Sequence, residues 1–153
     1  MDWWPEDVLA RASCVVRFER QGEMQFCTAG WPGAVGVVTG LSARGFAVAL
    51  NAVMGPERFS RIGYPVLLHL RRVVEDARDF ADALRMLARQ RLIAPALFTL
   101  VGTANDERVV IERSPRRHAL RWAEGDAPLV ATNDYRTLFR PTTSSVNILY
   151  ETT

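Results

Sequence analysis

The stretch from Trp31 to Asn51 sets the strongest limit on how this chain can fold. It reads Trp-Pro-Gly-Ala-Val-Gly-Val-Val-Thr-Gly, then Leu-Ser-Ala-Arg-Gly, then Phe-Ala-Val-Ala-Leu-Asn. Two short apolar runs, Val35 to Thr39 and Phe46 to Asn51, flank a linker that holds Gly40 and Gly45. Small residues alternate with branched ones and few are charged. This pattern predicts neighbouring strands joined by a tight turn, with both faces largely covered. Side chains able to do chemistry are scarce here, so the stretch is scaffold.

The segments around it extend the same architecture. Val8 to Arg20 alternates loosely, Gln21-Gly22 offers a turn, and Glu23 to Thr28 follows, which predicts a hairpin. The first half is therefore read as a β meander. After Asn51, a glycine-containing loop from Met54 to Tyr64 leads to Pro65, an early helical residue. Val66, Leu67, Leu70, Val73 and Val74 then recur at helical spacing. Asp79 is the expected N-cap of a second helix, with Phe80, Ala83, Leu84 and Leu87 on its buried face. Beyond Pro95, strands are expected over Ala96 to Val101, Arg108 to Arg113, His118 to Ala123 and Leu129 to Thr132. Strands, two helices and strands again define an α+β domain with helices laid on an antiparallel sheet.

Composition narrows the function classes. All nineteen basic residues are Arg, but they are scattered and the net charge is only +2, so no nucleic-acid partner is expected. The longest apolar runs fall far short of a membrane span. Met1 is followed by Asp2 rather than by a basic and then an apolar segment; a cytoplasmic location is expected unless the start is mis-assigned. Cys14 and Cys27 match no disulfide framework and, with two histidines, no structural zinc pattern, so neither metal nor other cofactor is expected.

Several segments in register carry a resemblance. Gly33-x-Val35-Gly36-x-x-Thr39-Gly40 with Phe46-x-x-x-Leu50-Asn51 resembles the acid ceramidase and N-acylethanolamine acid amidase family. Ile93-Ala94-Pro95-Ala96, the strand Val109-Val110-Ile111-x-Arg113, and Thr132-Asn133 followed by Asp134-Tyr135 match in the same order. Met1-Asp2-Trp3 resembles the family's Arg-Asn-Met/Leu-Asp-aromatic motif from its third residue onward. Penicillin V acylases, bile salt hydrolases and the penicillin acyltransferase are more distant relatives. All are N-terminal nucleophile hydrolases with an αββα sandwich.

The resemblance implies a chemistry. A Cys freed at the N-terminus by self-cleavage attacks an amide carbonyl, with its own α-amine as base. Asp2 matches the residue that positions the amine, and Asn133 matches the donor to the oxyanion. The implied substrate is a linear amide with a fatty or aromatic acyl group; Trp3 and Asn51 are candidates to line its site. The implied reaction is amide hydrolysis, acyl transfer to an amine, or, in a chain without its nucleophile, binding alone. In the family the nucleophilic Cys and a nearby Arg precede the Asp of the first motif; here nothing precedes Met1. The glutamate that follows the Asn of the second strand is replaced by Ala52. A domain cut short ahead of its nucleophile is therefore expected, with an unpaired sheet edge that favours self-association.

Each candidate has a plainer reading. Asp2 can be an exposed terminal carboxylate, Asn133 an Asx turn into Asp134, Asn51 a strand-end turn, and Trp3 a core residue. Cys27-Thr28 mimics the family's Cys-Thr, but Cys27 falls inside the predicted hairpin and reads as a small hydrophobe. Ser42 reads as a turn residue, His69 as structural and His118 as surface.

Overall fold

The computed structural model of the chain describes residues 7–57 and 59–139. Asp2 and Trp3 lie outside the described residues. One seven-stranded antiparallel sheet runs in sequence order: β1 (Cys14–Arg20), β2 (Glu23–Gly30), β3 (Thr39–Ser42), β4 (Phe46–Asn51), β5 (Ala96–Val101), β6 (Arg108–Arg113) and β7 (His118–Trp122). Helices α2 (Val66–Asp76) and α3 (Phe80–Arg89) are inserted between β4 and β5; a short α1 (Asp7–Ala12) precedes β1. The α+β architecture is therefore as expected, and the meander continues through the whole sheet.

Local chemistry explains the elements. Gln21 and Gly22 both have positive φ, 55° and 84°, the geometry of a two-residue hairpin turn whose twist suits the flanking strands. Asp79 caps α3, its side chain accepting from the Asp82 amide at 2.7 Å. Pro65 ends the extended approach to α2 as its N-cap, one position before the first helical residue.

Antiparallel register sorts the sheet into two faces. Phe26, Gly40, Ser42, Val48, Phe98, Leu100, Val109 and Ile111 share one face, because their cross-strand partners are one another. Both helices pack on that face, α2 over β2 to β4 and α3 over β5 to β7. Leu70, Val73, Val74, Ala83 and Leu87 meet it, fully buried. Each large aliphatic side chain buried there contributes about 1.5–3 kcal/mol. Gly40 lets α2 approach closely: a Cβ at this position would stand 2.9 Å from Val74 Cγ1.

The opposite face carries Cys27, Leu41, Ala47 and Val101 in one cross-strand row, and Val15, Ala29, Thr39, Ala49 and Thr99 in the next. Leu41 is 50% exposed there, so the expected two-sided cover of β3 is corrected to one-sided. One end of this face is closed by the chain after β7. Val53, Leu97 and Tyr135 form a second small core, with Leu138 and Phe139 against it.

Other expectations are corrected as well. Val8 to Ala12 is helical, because β2 ends at Gly30, the partner of Cys14, and offers nothing further upstream to pair with. Val35 to Val38 is irregular: the Val37 amide donates to the Leu67 carbonyl of α2 at 3.0 Å instead of to a strand. Leu67 is half-exposed rather than buried. Leu129 to Thr132 forms no strand; Arg121 Nη2 donates to the Val130 carbonyl at 2.8 Å, and Val130 itself is exposed.

Candidate active site

Antiparallel register also fixes which residues share an end of the sheet. The start of β1, the end of β2, the start of β3, the end of β4, the start of β5, the end of β6 and the start of β7 all lie together. Asn51 is the last residue of β4 at this end, half-buried, its backbone paired with Leu97. Asn133 reaches the same place from 81 residues away: its Nδ2 donates to the carbonyl of Ala52 at 2.8 Å. The structure therefore brings together Asn51 and Asn133, two of the four candidate residues. One N–H of the exposed Asn133 amide holds the strand end; the other has no partner among the described residues.

The segment bearing Asn133 is held firmly. Glu112, wholly buried on β6, accepts three consecutive amides: Arg136 at 2.9 Å on Oε1, and Thr137 at 2.9 Å and Leu138 at 2.7 Å on Oε2. Charge-assisted bonds to backbone amides are among the stronger ones in proteins. Tyr135 Oη donates to the Arg113 carbonyl at 2.5 Å, and burial pushes the Tyr135 hydroxyl pKa well above its usual value. Gly55 lies against the Tyr135 ring, where a Cβ would come within 2.6 Å.

Neighbouring charges lock the same corner. Ser114 Oγ donates to Glu57 Oε2 at 2.6 Å and Arg117 pairs with Glu57 Oε1 at 2.6 Å. The Ser114 hydrogen bond, helped by Arg117, holds the Glu57 carboxyl below the usual range against the opposing effect of burial. Arg113 is fully buried and donates to the Leu87 and Gln90 carbonyls at the end of α3, where a cation suits the helix dipole. Burial lowers its pKa to about 10, so it stays charged at neutral pH.

An apolar groove of about 570 Å³ opens at this end of the sheet, lined in part by Trp31, Val35, Val38, Leu67, Leu68 and Ile93. Its wall residue Val38 meets β4 one residue before Asn51, where the Leu50 amide donates to the Val38 carbonyl at 2.9 Å. Gly36 shapes its wall; a Cβ there would lie 2.5 Å from Leu67 Cβ. Cys27 sits within β2, between Arg17 and Leu41, and Cys14 is exposed at the start of β1. Ser42 is the turn residue expected, its Oγ accepting from the Arg44 amide at 3.2 Å; it is buried and donates weakly to the Val74 carbonyl. His69 is buried and His118 exposed, as expected. Among the described residues no three His, Cys, Asp or Glu side chains come together, and no helix is long and apolar enough to cross a membrane.

Sequence reasoning missed Glu112, Glu57 and the groove. Glu112 is the unspecified position in Val109-Val110-Ile111-x-Arg113; its parity with Val110 places it on the inner part of the sheet, where a carboxylate needs partners. That parity was the available signal.

Comparison with known proteins agrees with this fold. Acid ceramidase of Heterocephalus glaber is 30% identical over 110 residues, which is 63% of this chain and 27% of that protein. Human acid ceramidase is 30% identical over 125 residues, 72% of this chain and 30% of the relative. The N-acylethanolamine-hydrolyzing acid amidase of Caenorhabditis elegans is 25% identical over 122 residues, 74% of this chain and 34% of the relative. The chain thus spans about a third of the length of these curated relatives. The solved structure of the Caenorhabditis elegans N-acylethanolamine-hydrolyzing acid amidase ortholog has the same fold, with a TM-score of 0.68 at 24% identity over 78% of this chain and 55% of that one. The family model for acyl-coenzyme A:6-aminopenicillanic acid acyl-transferase matches residues 2–150, and the chain belongs to that family of N-terminal nucleophile hydrolases.

Proposed function

We propose that the protein cleaves the C–N bond of a linear N-acylated small molecule through a cysteine acyl-enzyme. The observation that carries the reading is Asn133, pinned to the Ala52 carbonyl beside Asn51 with one amide N–H left for a ligand. The neighbouring groove, lined by apolar residues, suits a fatty or aromatic acyl group. In this reading the groove takes the acyl chain, with Trp3 as a further wall and Asn51 lining the carbonyl end. A Cys ahead of the Asp2 motif attacks the carbonyl carbon; its α-amine accepts the thiol proton. Asp2 holds that amine. Charge developing on the carbonyl oxygen is met by the free Asn133 N–H. Collapse expels the amine, which takes the proton; water then frees the acid.

Cys14 and Cys27 are not assigned the role. Freeing the Cys27 amine requires breaking β2 in mid-strand, where it is paired on both sides. A second reading, acyl transfer to an amine in place of water, is favoured by the acyltransferase description of the matching family. The test uses protein isolated from its native cells, with its N-terminus sequenced, incubated with N-acyl amides and followed by intact mass. A Cys N-terminus, a thioester adduct and released acid support hydrolysis. N-acyl product formed with a competing amine supports transfer. Saturable binding without an adduct or turnover refutes both and leaves a binding domain.

A further inference from the structure

β1 forms one edge of the sheet, and only every second residue of it pairs inward. The Ala43 amide donates to the Gln25 carbonyl at 2.9 Å, so Gln25, Cys27 and Ala29 turn their backbone groups toward β3. Phe26, Thr28 and Gly30 therefore turn theirs toward β1, where they meet Phe18, Val16 and Cys14. The alternate residues, Val15 and Arg17, point N–H and C=O away from the sheet. Arg20 closes the two-residue turn opposite Glu23, so Glu19 points the same way. Among the described residues nothing pairs with this outer edge. Val15 is 74% exposed, and the Arg17 and Glu19 side chains are 59% and 47% exposed.

An open edge invites another strand, and proteins blunt it with proline, a bulge or charged side chains. β1 holds no proline, and the extra residue at the Phe18–Glu19 irregularity is Gln25, on β2. Charges of a single sign along the edge would repel a copy, but Arg17 and Glu19 are one of each. Arg17 Nε meets Glu19 Oε1 at 2.8 Å along the strand. A strand reading Arg-x-Glu is complementary to itself when reversed, since a two-fold axis through the middle residue sets each Arg opposite a Glu. The middle residue is Phe18, whose ring is held by stacking on Phe26 at 4.3 Å and by Arg71 at 4.7 Å.

We propose that β1 is the docking strand for a second copy of this chain, paired antiparallel about Phe18 so that the two sheets join. Hydrogen-bonded pairs need outward residues opposite one another, which places the axis on a residue rather than between two. Centring on Arg17 or Glu19 sets like charges against each other. Centring on Val15 or Val16 leaves Glu19 opposite nothing in the strand. Centring on Phe18 alone sets Arg17 opposite Glu19 on both sides of the axis, and brings the two Phe18 rings together on the face that carries the helices. Each Arg17–Glu19 pair across the axis also exchanges two backbone hydrogen bonds. The paired stretch is short, so the dimer is weak and reversible. The inference is independent of the amidase reading, since β1 contributes no residue to the Asn51–Asn133 corner or to the apolar groove.

The test is analytical ultracentrifugation of the 153-residue chain at concentrations up to about 1 mM, where a reversible dimer is expected. Arg17→Glu and Glu19→Arg each set like charges across the axis, and each is expected to weaken dimerisation about tenfold or more. The double swap, Arg17→Glu with Glu19→Arg, restores opposite charges and is expected to return the affinity to within about threefold. Both positions are exposed, so the melting temperature of the dilute chain should not change. A spin label on the exposed Cys14, in a Cys27→Ala background, reads the register by electron–electron distance. Centring on Phe18 puts the two Cys14 backbones about 27 Å apart, against about 20 Å for Arg17 and about 14 Å for Val16. A chain that stays monomeric at about 1 mM, single reversals that leave the dimer intact, a double swap that fails to restore it, or a separation matching another centre would overturn the proposal.

Discussion

Replacing Glu112 tests how the candidate site is held in place. The carboxylate accepts from three amides and stands 3.6 Å from Arg121 Nε, an ion-pair distance too long for a hydrogen bond. In Glu112→Gln the amide oxygen can occupy the Oε2 position and keep the Thr137 and Leu138 bonds in neutral form. The new NH₂ then faces the Arg136 amide, donor against donor. One bond is lost and two are weakened. With charged bonds worth about 1.5–3 kcal/mol and neutral ones about 0.5–1.5, the expected loss is about 3 kcal/mol. Glu112→Ala strands all three amides unless the segment lifts, and lifting exposes Leu97, Val53 and Tyr135. The cost is then about 3–5 kcal/mol, as when one partner of a buried charged cluster is removed. Urea unfolding reads the global loss. Hydrogen exchange at Arg136, Thr137 and Leu138 reads the local one, and is expected to quicken first at these three amides. A Glu112→Gln protein that loses less than about 0.5 kcal/mol, within the range of an ordinary surface substitution, with exchange unchanged at residues 136–138, would refute the reasoning.

Three further outcomes are expected. Burial, and secondarily Arg113 and Arg72, hold the folded His69 pKa down at about 4, against the raising effect of the Met86 carbonyl, while an unfolded His titrates near 6.5. The contribution is fully present above pH 6.5 and is lost as pH falls toward 4, by about 3 kcal/mol in all; His69→Gln should flatten that part of the stability profile in pH-dependent urea melts. Tyr135→Phe removes the bond to the Arg113 carbonyl and should cost about 1–2 kcal/mol by thermal unfolding, with no loss if the bond is absent in solution. Gly36→Ala drives a Cβ to within 2.5 Å of Leu67 Cβ and should cost about 1–3 kcal/mol while narrowing the apolar groove, read as weaker binding of a fluorescent acyl probe.

What the sequence discloses follows from the range of the forces involved. Strand alternation, the Gln21-Gly22 turn and the Asp79 cap are local, and each stands where the residues put it. The order of strands and helices therefore reads off directly, as does the meander. The errors share a cause: long-range contact overrides local preference. The valines after Gly33 look like a strand, but α2 takes the Val37 amide. Val8 to Ala12 looks extended, but its would-be partner strand has already ended. Leu129 to Thr132 looks like a strand, but no neighbour is there to pair with it and an Arg121 side chain takes the Val130 carbonyl.

The candidate site divides the same way. Asn51 and Asn133 were legible through motif resemblance, and the structure joins them through Ala52. Glu112 was invisible in isolation, since its partners lie about two dozen residues further along a segment with no regular structure of its own. The groove was equally hidden, because its walls come from β2, the β2–β3 loop, α2 and the approach to β5. Asp2 and Trp3 lie outside the described residues, and their roles belong to the proposed reading alone.

The measurement that tests the central claim most directly is the steady-state hydrolysis of an N-acyl amide by protein isolated from its native cells, compared with the same protein carrying Asn133→Ala. The account predicts acid and amine in equal amounts from the unaltered protein. It predicts a fall in kcat of about 10²–10³ with little change in KM for the variant, the signature of a lost oxyanion donor. An inert unaltered protein, or an Asn133→Ala variant with undiminished kcat, would contradict it.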